Sequence, residues 1–196
     1  MPNTYSQLYI QAVFAVKYRN AVIDKSWRQN LMAVIGNLIN ETGCKTIIVN
    51  GVEDHVHCFF ILQPKLSISD VMQSVKAKSS KWVNESKLIL NRFEWQRGFG
   101  AFSYSKSHVD NVYNYIANQE AHHHKETFKE EYTKLLKAFG VEYDEDYYFE
   151  ALLSDKTYRS LIFSIFYKHS RSFILDQLVF KCPFENSIRK KIKFSI

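Results

Sequence analysis

Several things are scarce in this sequence, and each scarcity excludes a class. There are only three cysteines, Cys44, Cys58 and Cys182, far apart and odd in number. That excludes a disulfide framework and a cysteine-based zinc site, and suits a reduced cytoplasm. No apolar run approaches the roughly 18 residues that a membrane-spanning helix needs. Residues 1–9 have neither the basic start nor the apolar centre of a secretory signal, so a cytoplasmic location is expected. No internal repeat is present. Excess positive charge is missing from most of the chain. The formal net charge is +6, but residues 151–196 hold nine Lys/Arg against three Asp/Glu, leaving 17 of each sign in residues 1–150. Overall basicity is therefore a weak argument for a polyanionic partner of the main domain.

What remains is a chain of 196 residues, 46% apolar and 15% aromatic, enough for one domain with a proper core and an appendage. The composition divides it into residues 1–150 and a basic, apolar extension, residues 151–196, with no single hydrophobic period.

Alternation over residues 5–18 puts Leu8, Ile10, Ala12, Phe14 and Val16 on one face of a strand, with Tyr9 and Gln11 on the other. Asp24 caps a helix whose stripe is Trp27, Leu31, Val34, Ile35 and Leu38, stopped near Gly43. A β-branched run over residues 45–49 leads to Asn50-Gly51, read as a hairpin turn. The next strand contains Glu53-Asp54-His55-Val56-His57-Cys58-Phe59-Phe60. Its period of two places Val56, Cys58, Phe60 and Leu62 in the core and puts His55 and His57 together on the opposite face. Two imidazoles at i and i+2 can converge on one ion or one phosphate. Read by themselves, they are equally a turn-capping and a half-buried histidine.

Ser67 and Asp70 open a second helix, with Lys76, Lys78 and Lys81 on its more exposed positions. Two short strands follow, at residues 93–95 and 101–104, around a turn containing Gly98 and Gly100. The order strand–helix–strand–strand–helix–strand predicts an α+β fold, a ferredoxin-like or RNA-recognition-like antiparallel sheet (βαββαβ) with helices on one face. A third helix is expected from Ser107, carrying Tyr115, Gln119 and His122 on one face. His122, His123 and His124 point about 100° apart and read as a polar surface. A last helix, residues 126–139, presents Phe128, Tyr132, Leu135, Leu136 and Phe139 to the core.

Two motifs together carry a resemblance. Asp54-His55-Val56-His57 resembles the His-hydrophobe-His motif of the HUH endonucleases. Tyr115-Ile116-Ala117-Asn118-Gln119 resembles the tyrosine-helix motif of the single-strand HUH-tyrosine transposases of the smallest bacterial insertion sequences, a group that includes the REP-associated tyrosine transposases. Residues 16–19, Trp95-Gln96 with Gly98 and Gly100, and residues 128–132 fit the same pattern, so the resemblance spans roughly residues 5–150.

The resemblance implies that His55, His57 and Gln119 hold a divalent ion, Mg2+ or Mn2+, which polarises the scissile phosphate. It implies that Tyr115 attacks phosphorus to give a 5′-phosphotyrosine and a free 3′-hydroxyl, conserving the bond energy for rejoining. It further implies single-stranded DNA with hairpin-bearing ends as substrate, and a homodimer in which the tyrosine helix of one subunit can serve the histidines of the other. By ligand softness, two imidazoles and an amide favour Mn2+, Zn2+ or Ni2+ over Mg2+. Lys17, Arg19, Lys76, Lys78, Lys81 and Arg97 are the candidate DNA contacts. The extension is a departure from the family's usual length. Two other readings use the same fold: a domesticated HUH nickase, and a non-catalytic single-stranded nucleic-acid binder using exposed sheet aromatics such as Tyr9.

Overall fold

The structure, a computed structural model, describes residues 5–123 and 127–143. The expected extension, His124 and residues 144–150 lie outside the described residues, as does Cys182. Along the chain run β1 (Tyr9–Ala15), α1 (Lys25–Glu41), β2 (Lys45–Gly51), β3 (His55–Ile61), α2 (Ile68–Glu85), β4 (Gly100–Tyr104), α3 (Val109–Ala117), α4 (Gln119–His123) and α5 (Phe128–Ala138). The sheet order is β2-β3-β1-β4, antiparallel throughout. This is the βαββαβ arrangement the sequence predicts. No helix among the described residues is long and apolar enough to cross a membrane.

The period of two decides what each sheet face does. Ile10, Ala12, Phe14 and Val16 from the first strand region, with Val56, Cys58 and Phe60 of β3, pack against Trp27, Leu31 and Ile35 of α1 and Val71, Met72 and Val75 of α2. Both helices start where the sequence provides a cap. Asp24 accepts from the Ser26 amide at 2.8 Å, and Ser67 accepts from the Asp70 amide at 3.1 Å. Cys44 and Cys58 are free and buried, and burial pushes the Cys58 thiol up from its ordinary range.

The opposite face is covered as well, by the helices that follow β4. Tyr9 and Phe59 pack on Val112 and Ile116 of α3, while Val13, Ala15 and Phe102 pack on Phe128 and Leu136 of α5. Tyr9 is 4% exposed. It is core, not the open stacking platform that a sheet-face nucleic-acid binder would need.

Three local expectations are corrected. Asn50 and Gly51 are not the hairpin turn but the last residues of β2, paired with His57 and Val56. The turn is residues 52–54, closed by the Val52 amide donating to the His55 carbonyl at 3.1 Å. Gly51 is needed because a Cβ there would lie 2.3 Å from the His55 carbonyl oxygen. Residues 93–95 form no strand beyond an isolated bridge between Trp95 and Val16. Asn84 takes up the backbone of Phe93 instead, accepting from its amide at 2.8 Å and donating to its carbonyl at 3.0 Å. Ser107 does not cap the third helix. A 3-10 turn, Lys106–His108, precedes α3.

A candidate metal and nucleophile site on the covered sheet face

His55 and His57 lie fully buried on the face beneath α3, α4 and α5. Strand alternation brings them there, and the rings sit 5.1 Å apart. Phe128 stacks on His55 at 4.1 Å, and Tyr115 lies edge-on to His57 at 6.0 Å. The α3 helix is held over the sheet by Asn50 at the end of β2. Its amide donates to the carbonyls of Ile116 and Ala117, at 2.8 and 3.2 Å. These carbonyls lie at the helix end, where regular intrahelical bonds run out. The chain then breaks at Asn118 and restarts as α4, so Tyr115 and Gln119 belong to different helices yet still point into one space.

Glu131 of α5, 2% exposed, stands in the middle of that space. Its Oε1 accepts from the Tyr115 hydroxyl and from Gln119 Nε2 at 2.9 Å, and lies 3.4 Å from His57 Nε2. Its Oε2 bonds to His123 Nε2 at 2.9 Å and lies 3.4 Å from His55 Nε2. Ligand atoms of His55, His57 and Glu131 all fall within 4.8 Å of one another. Burial pushes the Glu131 carboxyl up, but the hydrogen bond with His123 and the attraction of His55 and His57 outweigh it and hold the group well below the usual carboxylate range. Burial likewise works against a charged His55, yet Asp54, at 2.7 Å from Nδ1, and Glu131 raise its pKa overall. His57 has no such second acid, and burial lowers it.

Three buried atoms of these side chains make no hydrogen bond: His55 Nε2 and His57 Nε2, each 3.4 Å from a Glu131 oxygen, and Gln119 Oε1. Leaving buried polar atoms unpaired is costly, so a cluster of them marks a place where something else binds. Two imidazole nitrogens, an amide oxygen and a carboxylate are a donor set that fits a divalent cation. Tyr115, Gln119, His55 and His57 are thus brought together within one chain. Sequence reasoning missed Glu131, which the helical pattern left among the solvated positions, and His123, read as surface. His123 has only 13% of its side chain exposed and reaches Glu131. The only available signal was a carboxylate at i+3 from Phe128 in the helix stripe.

The candidate DNA contacts are not gathered at this site. The α2 helix packs on the other face of the sheet, and its lysines are engaged there. Lys78 pairs with Glu41 at 3.2 Å, Lys81 with Glu85 at 3.7 Å, and Lys76 donates to the carbonyls of Gln96, at 2.7 Å, and Gly98. Lys17 pairs with Glu94 at 2.7 Å. The side chain of Arg19 lies outside the described part of the structure. Arg97 is exposed and borders a cleft formed with Phe99, Phe128 and Tyr132, of which Phe128 stacks on His55.

The family model described as "Transposase IS200 like" matches residues 4–119. The chain belongs to that family of transposases. A crystal structure of a candidate transposase from Deinococcus radiodurans R1 shares the fold at TM-score 0.50 and 18% identity, over 61% of this chain and 95% of that one. A REP-associated tyrosine transposase bound to a REP hairpin aligns at TM-score 0.48 and 14% identity, over 63% and 73% of the two chains. No curated protein matches the sequence. Glu131 and His123 both lie beyond the matched residues.

Proposed function

We propose that this transposase cuts and rejoins single-stranded DNA through a 5′-phosphotyrosine on Tyr115, using a divalent ion held by His55, His57 and Gln119 with Glu131 as a further donor. The observation that carries this reading is the gathering of Tyr115, His55, His57 and Gln119 around the one buried carboxylate of Glu131. When bound, Mg2+ or Mn2+ supplies Lewis-acid stabilisation of charge on the scissile phosphate.

The protein's own residues do the rest. Glu131 holds the phenol in place by accepting its hydrogen bond, and the proton lost by the phenol as its oxygen attacks phosphorus is balanced by the one that the departing 3′-oxygen takes up. The P–O3′ bond breaks, a 3′-hydroxyl leaves, and the phosphodiester energy stays in the tyrosyl ester for the return step. Holding nucleophile and phosphate in register is worth up to about 7–11 kcal/mol when alignment is good. All five groups come from one chain, so the site does not need the homodimer that the resemblance implies in order to be assembled. Hairpin-bearing single strands are the substrate class that the family supports. Arg97, Phe128 and Tyr132 are proposed to contact the strand, and Lys17, Arg19, Lys76, Lys78 and Lys81 remain candidate contacts with its backbone. In this reading residues 1–150 are the transposase domain and residues 151–196 an added segment.

The test is a denaturing gel with a single-stranded oligonucleotide carrying an element-end hairpin, in Mn2+. A protein–DNA adduct should form with the wild type and vanish with Tyr115→Phe, while DNA binding persists. An undiminished adduct in that variant would exclude Tyr115 as nucleophile.

A further inference from the structure

Gln11 is fully buried in the middle of β1, on the face that carries the histidine pair. The sequence offers no apolar reason for an amide there. Its partners explain it. Gln11 Nε2 donates to His57 Nδ1 at 2.9 Å, and Gln11 Oε1 accepts from the Tyr104 hydroxyl at 2.7 Å.

This pairing has a consequence for the other nitrogen of the ring. A neutral imidazole carries one proton and one lone pair. If Nδ1 accepts from Gln11, the proton sits on Nε2, the atom facing Glu131 at 3.4 Å. A protonated Nε2 cannot ligate a cation. For Nε2 to offer its lone pair, the proton must move to Nδ1, and Nδ1 then needs an acceptor.

Gln11 can supply one without leaving its place. Turning its amide by half a turn exchanges oxygen and nitrogen at nearly the same positions. Oε1 then accepts from His57 Nδ1, and Nε2 donates to the Tyr104 oxygen, which accepts as readily as it donates. Both arrangements satisfy every atom of the Gln11 amide. His55 has no such choice. Its Nδ1 faces Asp54 Oδ1 at 2.7 Å, and an ionised carboxylate only accepts, so Nε2 is left with the lone pair in the neutral ring.

We propose that Gln11, backed by Tyr104, is a positioning residue that selects which nitrogen of His57 carries the proton, and that its amide oxygen faces Nδ1 in the metal-holding form. The proposal rests on the reading of His55 and His57 as ligands. Loss of the amide leaves His57 free to take the wrong tautomer, and loss of such an outer partner typically weakens metal binding about 10–100-fold.

The experiment uses the full chain with Mn2+ as probe, titrated by calorimetry, and 15N-labelled histidine to read the tautomer by NMR. Gln11→Leu should weaken Mn2+ binding about 10–100-fold. Gln11→Glu, whose carboxylate can only accept, should restore affinity to within a few-fold of the wild type and place the His57 proton on Nδ1 even without metal. The metal-free wild type should show it on Nε2. Wild-type affinity in Gln11→Leu would overturn the proposal. So would the same His57 tautomer in metal-free wild type and Gln11→Glu, a readout that stands if Gln11→Leu does not fold. Failure of the wild type to bind Mn2+ would instead overturn the metal reading beneath it.

Discussion

Glu131 accepts a hydrogen bond from the Tyr115 hydroxyl, joining α5 to the tyrosine helix at the bottom of the site. The same oxygen takes Gln119, and the other takes His123. One carboxylate is thus the common partner of three side chains from α3 and α4. Glu131→Leu should cost about 1–3 kcal/mol of stability, because the fully buried Gln119 amide loses its acceptor. It should also lower Mn2+ affinity at least tenfold, the size of effect seen for lesser, outer partners of metal ligands. Chemical denaturation and calorimetric titration check the two parts separately.

The carboxyl of Glu131 is held below its usual value of 4.5, so the folded state favours its ionised form. The sign follows from linkage. The stability it contributes is present above the unfolded pKa and is lost as pH falls from there toward the folded value. Melting temperatures of the metal-free protein should fall between about pH 5 and pH 3 more steeply in the wild type than in Glu131→Gln. Parallel curves would show that the carboxylate is not specially stabilised.

Gly51 and Gly100 make opposite predictions from similar-looking crowding. A Cβ on Gly51 meets backbone, the His55 carbonyl oxygen at 2.3 Å, whereas one on Gly100 meets the end of the Tyr132 side chain at 2.5 Å. A phenol can rotate aside and a strand carbonyl cannot. Gly51→Ala should cost about 1–3 kcal/mol by overpacking and weaken metal binding by shifting His55, while Gly100→Ala should cost less. Thermal unfolding of the two variants tests the order.

Asn50 ties the end of the tyrosine helix to the sheet. Asn50→Ala should cost about 1 kcal/mol, the net worth of a typical hydrogen bond. It should slow adduct formation while lowering Mn2+ affinity only a few-fold, because the Asn50 side chain holds the helix end before Gln119 and touches neither histidine nor Glu131. Equal losses in both would mean that Asn50 supports the sheet rather than the helix.

Residues with short-range signals were legible in the sequence. Period-two alternation put His55 and His57 together on one face, and Asp24 and Ser67 marked true helix starts. Asn50-Gly51 misled because the dipeptide's turn preference lost to tertiary contacts. Asn50 is used for its side chain over α3, and Gly51 for its lack of one beside His55. Residues 93–95 alternate like a strand, but Asn84 takes the backbone of Phe93, which leaves only the Trp95–Val16 bridge. Glu131 was illegible because a charged residue in an amphipathic helix is usually solvated. Only the buried face that α3, α4 and α5 build over the sheet turns it inward, and no local pattern encodes that face. Gln11 was visible on the correct side of β1, but its meaning depends on His57 in the neighbouring strand.

Completeness of the site within one chain is the central claim, and a mixing experiment tests it most directly. Tyr115→Phe and His57→Ala proteins of different tagged sizes are combined with hairpin oligonucleotide and Mn2+. With tyrosine and histidines acting in the same chain, neither variant alone nor the mixture forms a covalent adduct. An adduct restored by mixing, carried on the His57→Ala chain, would mean that the tyrosine is served by another subunit's histidines and would contradict the account.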